Sequence, residues 1–377
     1  GVSYTAPVLV AAGYTFDGWF TDAACTEAYV PAEGAITANI TLYAKFTADA
    51  PDTYTVTFEA GTSNNDLADI TGATNYVATA TATEGVSYTA PVLVAENYVF
   101  EGWFTDATCT TKYVKSVTAI TSDITLYAKF TEASFEHEKA DGTKTYFTSL
   151  SGAFAKGSGT IKMLKDSTVS TRITIQNSIG QPVNNIILDL GGKTLTNTVA
   201  DATYRAILIQ KSNSLTVKNG TINFTAGDGF YLNNGHLTLD NDVEINATNH
   251  TAVVIVKGST LTTAADINSG SDFAIAGNGT DGNGNTTVNV TGGTITSDVI
   301  AIYQPQSGAL NISGGTITGS TAVYAKSGTT TISGGTLNGN GALADYAYHG
   351  SGAISTGDAL VIDNCGYPGG APVVSIT

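Results

Sequence analysis

Two alternating patterns of apolar and polar residues divide the chain, and neither has a helical period. From residue 185 onward, apolar residues fall on every second position of short runs broken by Gly-Gly or Asn-Gly pairs. The runs are NIILDLGGKTLTN at 185–197, LTVKNGTINFT at 215–225, LTLDNDVEINAT at 237–248, then VNVTGGTITSD, LNISGGTITGS and TTISGGTLNGN. Strict alternation predicts strands with one buried face, and the glycine pairs predict tight corners that need positive φ. The apolar residues that follow the corners are Ile222, Ile245, Ile267, Ile295, Ile317 and Leu337, spaced 23, 22, 28, 22 and 20 residues apart. Leu195 precedes this series, and LVIDNCG at 360–366 extends it. A period in the low twenties with two or three short strands in each predicts a right-handed parallel β-helix, with about eight to ten rungs over residues 134–377. Inward Ile, Val and Leu would stack from rung to rung, and Thr and Asn would stack outside. The 28-residue spacing requires a protruding loop, GNGTDGNGN at 277–285. Upstream, the segment at 149–169 opens on an amphipathic stretch with Leu150, Ala153 and Phe154, suited to cap the coil's open end.

The first third of the chain follows another rule. GVSYTAPVLVAAGYTFDGWFTDAACTEAYV at 1–30 returns as GVSYTAPVLVAENYVFEGWFTDATCTTKYV at 85–114, and ITLYAKFT returns at the same offset of 84 residues. The second copy is preceded by YTVTFEAG, an alternating strand pattern from Tyr54 to Phe58 that the first copy lacks. Residues 1–50 therefore read as a truncated unit, 51–133 as a complete one, and 134–377 as the β-helix with its cap. Trp19 and Trp103 read as core residues of the two units. The chain begins mid-pattern without a leader, as an excised piece of something longer would.

The run Y-x-F-x-G-W-F-T-D, then C-T, then I-T-x-x-I-T-L-Y-A-K-F, with Gly102, Trp103, Leu126, Tyr127 and Ala128 at its hallmark positions, resembles the Listeria–Bacteroides repeat, the internalin B-type repeat of bacterial surface proteins. That resemblance covers residues 1–132. It implies small β-grasp-like modules strung on secreted or wall-attached proteins, and no catalysis. The coil and its cap resemble pectate-lyase-like β-helix proteins in texture, which implies a fold rather than an activity.

Composition narrows the partners. Charged residues are 13% of the chain and the net charge is −16, which argues against nucleic acid or an anionic membrane surface. No apolar run approaches the 18 residues of a membrane span. Cys25 and Cys109 occupy equivalent positions of two tandem units and Cys365 lies far from both, so free thiols are expected.

Candidate chemistry is sparse. Polysaccharide lyases of this fold would need Arg or Lys beside acidic metal ligands. Arg172 and Arg205 are the two arginines of residues 134–377, and both fall outside the marker series. Lys211, Lys218 and Lys257 have no carboxylate cluster beside them in sequence. Asp240, Asp242 and Glu244 alternate as if they shared one strand face, a pattern that glycoside hydrolysis could use but that equally suits a solvated surface. Asp281, Asn283 and Asn285 place oxygen side chains at alternate positions of the Gly-rich loop, the opening spacing of a Ca²⁺ site without its closing Glu. Tyr303 in AIY and Tyr324 in AVY, with Tyr231 in GFY on an earlier rung, would form a stripe for stacking sugar rings if they face outward, and core aromatics if inward. His349 sits in a polar aromatic loop, DYAYHGSG.

These features favour an all-β, extracellular bacterial surface protein of the adhesin kind, whose β-helix offers a binding face to a glycan or a host or surface protein. A polysaccharide lyase or glycoside hydrolase and a bare structural spacer are the alternatives. No cofactor is required, with Ca²⁺ the one candidate ion.

Overall fold

A computed structural model describes residues 4–31, 36, 38–62, 67–115, 119–177, 180, 182–199, 205–248, 250–343 and 352–377. It is nearly all β, with repeat domains followed by a parallel β-solenoid of about 7 turns. Residues 135–154 form its cap.

The complete repeat unit is a four-stranded sheet of Thr53–Ala60, Thr79–Thr83, Tyr98–Phe104 and Ile124–Glu132, in the spatial order second, first, fourth, third. Its two central strands run parallel and its outer pairs antiparallel, the strand arrangement of a β-grasp. A bulge between Phe100 and Gly102 requires Gly102 to sit at φ +120°, a region that side chains avoid. The bulge turns Trp103 inward, where it is 5% exposed, packs 4.7 Å from the Phe58 ring and donates its Nε1–H to the Pro91 carbonyl.

The truncated unit keeps Tyr14–Phe20 against Tyr43–Ala48 with the same bulge, and Trp19 keeps its bond to the Pro7 carbonyl. Among the described residues it has no equivalent of the strand that supplies Val56 and Phe58, both almost wholly buried in the complete unit. Trp19 consequently stays half-buried. The recurrent T-D-A motif also has a mechanical role. Asp106 accepts the backbone N–H groups of Thr110 and Thr111 and the Thr108 hydroxyl, as Asp22 accepts those of Thr26 and Glu27. These bonds, the Thr108 hydroxyl first for Asp106, hold its carboxyl well below the ordinary carboxylate range.

The cap is the hairpin Phe135–Glu138 and Lys144–Phe147 with the short helix Leu150–Phe154. Phe135–Glu138 pairs antiparallel with the first coil strand, Gly159–Met163, so that edge is not left open. Ser149 caps the helix by accepting the Gly152 N–H, and Leu150, Ala153 and Phe154 close the interior.

Each rung then contributes to three parallel ladders. In the second ladder Leu195, Ile222, Ile245, Ile267, Ile295, Ile317 and Leu337 stand in one register column. Five of the six intervals are those between the corner markers identified from the sequence. One position on, the outward column is polar. Asn246 donates to Asn223 at 3.1 Å and Asn268 to Asn246 at 3.0 Å, and Thr296 donates to Asn268 at 2.7 Å. The first ladder repeats the device where Asn311 donates to Asn289 at 2.9 Å. At the stacked corners, a Cβ on Gly315 (φ +88°) would lie 2.7 Å from the Gly292 carbonyl oxygen, which fixes glycine there.

Two outcomes test this reading. Ile267→Ala should cost about 2–5 kcal/mol of unfolding free energy and Asn246→Ala only about 1–2 kcal/mol, measured by denaturant unfolding; equal costs would contradict the division of labour. Because the Asp106 carboxyl is depressed in the fold, its stabilisation is complete above the unfolded carboxylate range and lost as pH falls below about 4. The melting-temperature gap between the native chain and Asp106→Asn should therefore be widest at neutral pH and narrow steadily as pH falls below about 4.

Candidate functional site

The third ladder carries the candidate chemistry. Its outward column runs Thr174, Leu208, Tyr231, Val254, Ala276, Tyr303, Tyr324 and Val361. Tyr303 and Tyr324 are direct register partners, and Tyr231 occupies the same column three rungs earlier. The surroundings of the three rings differ.

Tyr231 is half-buried. The Arg205 guanidinium lies over its ring, 3.5 Å from the centroid. Arg205 is itself the register partner of Asp228, so it belongs to the rung series after all. The sequence suggested otherwise because the series was marked on the second ladder alone. Burial pushes the Asp228 carboxyl above its ordinary value, with the Asp272 charge adding to the rise and His250, the Thr251 N–H and Arg205 opposing it. An aromatic plate, a planar cation, an imidazole and two carboxyl groups thus meet where the second ladder turns into the third. Such a set can hydrogen-bond hydroxyls and stack on an apolar ring face.

Tyr303 and Tyr324 point outward from the coil and are nevertheless enclosed, at 8% and 0% exposure. An open stacking stripe over these two rings is not present. A second, smaller apolar cluster of Ala276, Ile300, Tyr303, Tyr324 and Val361 lies outside the coil, with Phe273 and Ala353 packed on it. Phe273 stacks on Tyr303 at 5.1 Å, and the Tyr303 hydroxyl meets that of Tyr367 at 3.4 Å. Burial, followed by that hydrogen bond, pushes the Tyr303 phenol far above its ordinary value. The Tyr324 hydroxyl donates to Asp363 Oδ2 at 3.0 Å, and Lys326 Nζ lies 3.1 Å from the same oxygen with both side chains fully buried.

The remaining candidates are placed as follows. Asp281 turns its carboxylate onto the Gly282 N–H. The Asn283 amide donates to the Thr280 hydroxyl, and the Asn285 N–H donates to Ser307. Asn285 sits at φ +59°, a left-handed corner position that Asn234 also takes at φ +55°, which accounts for asparagine without an ion. Among the described residues no group of three His, Cys, Asp or Glu is arranged to hold a metal. Thr280, Asp281, Asn285, Gln306 and Ser307 line a cavity of about 180 Å³.

Of the acidic trio, only Glu244 lies on a strand. Asp242 caps a corner by accepting the Asn219 N–H, so the three do not share a strand face. Lys218 pairs with Asp189 at 3.5 Å, while Lys211 and Lys257 occupy left-handed corners. Arg172 lines a groove of about 340 Å³ between the cap helix and the first rung. His349 lies outside the described residues. The cysteines Cys25, Cys109 and Cys365 are free.

Residues 2–45 and 54–129 match the Listeria–Bacteroides repeat domain family. Two curated relatives from Evansella cellulosilytica, named "Putative membrane protein" and "Putative Gly-rich membrane protein", are 34% and 31% identical over 119 residues, 31% of this chain in each case. The aligned region spans only 16% and 12% of their lengths. No solved structure matches. No helix among the described residues is long and apolar enough to cross a membrane. The repeat domain and the solenoid together fit a surface protein.

Because the Asp228 carboxyl is raised in the fold, the protein loses stability as pH rises from the unfolded carboxylate value through the folded one. Asp228→Asn should therefore be neutral or stabilising at pH 7, and its advantage should vanish in acid. Thermal unfolding of both proteins between pH 4 and 8 checks this, and a variant less stable at pH 7 would contradict it.

Proposed function

We propose that this chain is part of a non-catalytic bacterial surface or secreted protein of the adhesin kind, in which the repeats form a stalk and the solenoid presents a glycan-binding face. The observation that carries the reading is the half-exposed Tyr231–Arg205 plate beside Asp228, His250 and Asp272. Flat parallel ladders favour shallow contacts over deep enclosure. Individually weak contacts of this type gain strength when many copies are displayed on one cell. The Thr and Asn columns on either side add hydroxyl and amide groups that suit a polyhydroxylated ligand.

A glycan array probed with the chain, with and without Ca²⁺, tests the reading. Binding should survive chelation, and Tyr231→Ala should weaken it about five- to tenfold, the worth of one aromatic contact of about 1 kcal/mol. Binding that is indifferent to both Tyr231→Ala and Arg205→Ala would overturn the placement of the face. A second reading, glycoside hydrolysis, is favoured by one feature: the Asp228 carboxyl is raised beside a second carboxyl, Asp272. Release of reducing ends that stops on Asp228→Asn would replace the binding reading with this one.

A further inference from the structure

Lys326 and Asp363 are an unusual pair for the outside of a solenoid. The strand Leu360–Ile362 lies parallel to the end of Thr316–Ala325, with Ala325 opposite Ile362. Lys326 and Asp363 are the next residues of the two chains, and the Asp363 N–H still donates to the Ala325 carbonyl. Register alone therefore brings the two side chains together, and both are fully buried. The Tyr324 and Tyr367 rings flank the Lys326 ammonium, with centroids 5.5 and 5.7 Å from Nζ, and Nζ also donates to the Gly352 carbonyl. A charge pair so enclosed bears a desolvation cost that an apolar pair of similar volume would not.

We propose that Lys326 and Asp363 condense into an intramolecular amide that staples the last strand of the third ladder to the rung before it. The contact supplies the geometry: Nζ is 3.1 Å from Oδ2, and the two chains are fixed in register. Effective molarities for reactants held in this way reach about 10⁵–10⁸ M. One ammonium proton passes to the carboxylate and comes to rest on Oδ1, leaving a neutral amine and a neutral acid. Nζ then attacks Cγ, while the Tyr324 hydroxyl, which donates to Oδ2 at 3.0 Å, stabilises the charge that develops on that oxygen. The second proton leaves Nζ with Oδ1, which departs as water, and Oδ2 remains as the amide oxygen. One N–C bond forms, one C–O bond breaks and one water is released, with no oxidant or cofactor needed. Exclusion of water from the site opposes the reverse hydrolysis. The product has no charge and retains a carbonyl oxygen to accept the Tyr324 hydroxyl and an N–H to donate to Gly352.

Intact-mass spectrometry of the full chain under denaturing conditions tests this. The chain should weigh one water less than its sequence, and trypsin should leave residues 258–377 as one looped peptide, a water light and uncut after Lys326, since no Lys or Arg follows Lys326. Lys326→Met and Asp363→Ala should each restore the sequence mass, and Asp363→Ala should also restore cleavage after Lys326. A native chain at its full sequence mass would overturn the proposal. A water deficit that persists in Lys326→Met would overturn it too, since it would arise from dehydration elsewhere.

Discussion

Register between successive rungs is the constraint on which everything else in the solenoid depends. Each rung closes on its neighbour through parallel strands, and side chains alternate, so a slip of one residue would send an inward Ile to solvent and an outward Asn into the core. The Ile222–Ile245–Ile267–Ile295–Ile317 column forbids that slip. Each of these side chains is worth about 1.5–3 kcal/mol when buried. Once the column is fixed, the outer columns follow, including the amide ladder on the second face and the tyrosine column on the third.

The outer surface is therefore a pattern printed by the core, and its two aromatic regions differ only in what lies over them. Around Tyr231 the surface is partly open, and Arg205 occupies the ring face. Around Tyr303 and Tyr324, the side chains of Phe273, Ala353, Val361 and Tyr367 close over the rings and build a second core outside the coil. A cover of this kind needs its own fastening, because the apolar cluster beneath it is small. The Lys326–Asp363–Tyr324 contact lies where the last strand of the ladder meets the cover.

Much of this architecture was legible from residue spacing. The marker residues after the glycine corners became one register column, residue for residue, and the cap fell on Leu150, Ala153 and Phe154. The repeat unit was legible from its bulge glycine and tryptophan. The third ladder was harder to read. Its strands are short, its corners lack paired glycines, and the loops before it vary in length, so Arg205 could not be set opposite Asp228. Aligning RAILIQ with DGFYLN would have done so. The tyrosine column was readable, but its burial was not, because the covering segment is irregular and carries no period. Asp242 misled for the opposite reason: it sits in an alternating run, yet it serves a corner.

The most direct test of the account is whether adjacent rungs pair as the register requires. Thr238 and Thr262 are partners on the first ladder, and Asn289 is the partner of Thr262 one rung further on. Oxidation of a Thr238→Cys/Thr262→Cys chain should give an intramolecular disulfide, since adjacent rungs stand about 4.8 Å apart and within its reach. A Thr238→Cys/Asn289→Cys chain, with the cysteines two rungs apart, should give none. Cross-linking of the second pair and not the first would contradict the register, and with it the placement of every candidate residue on the solenoid.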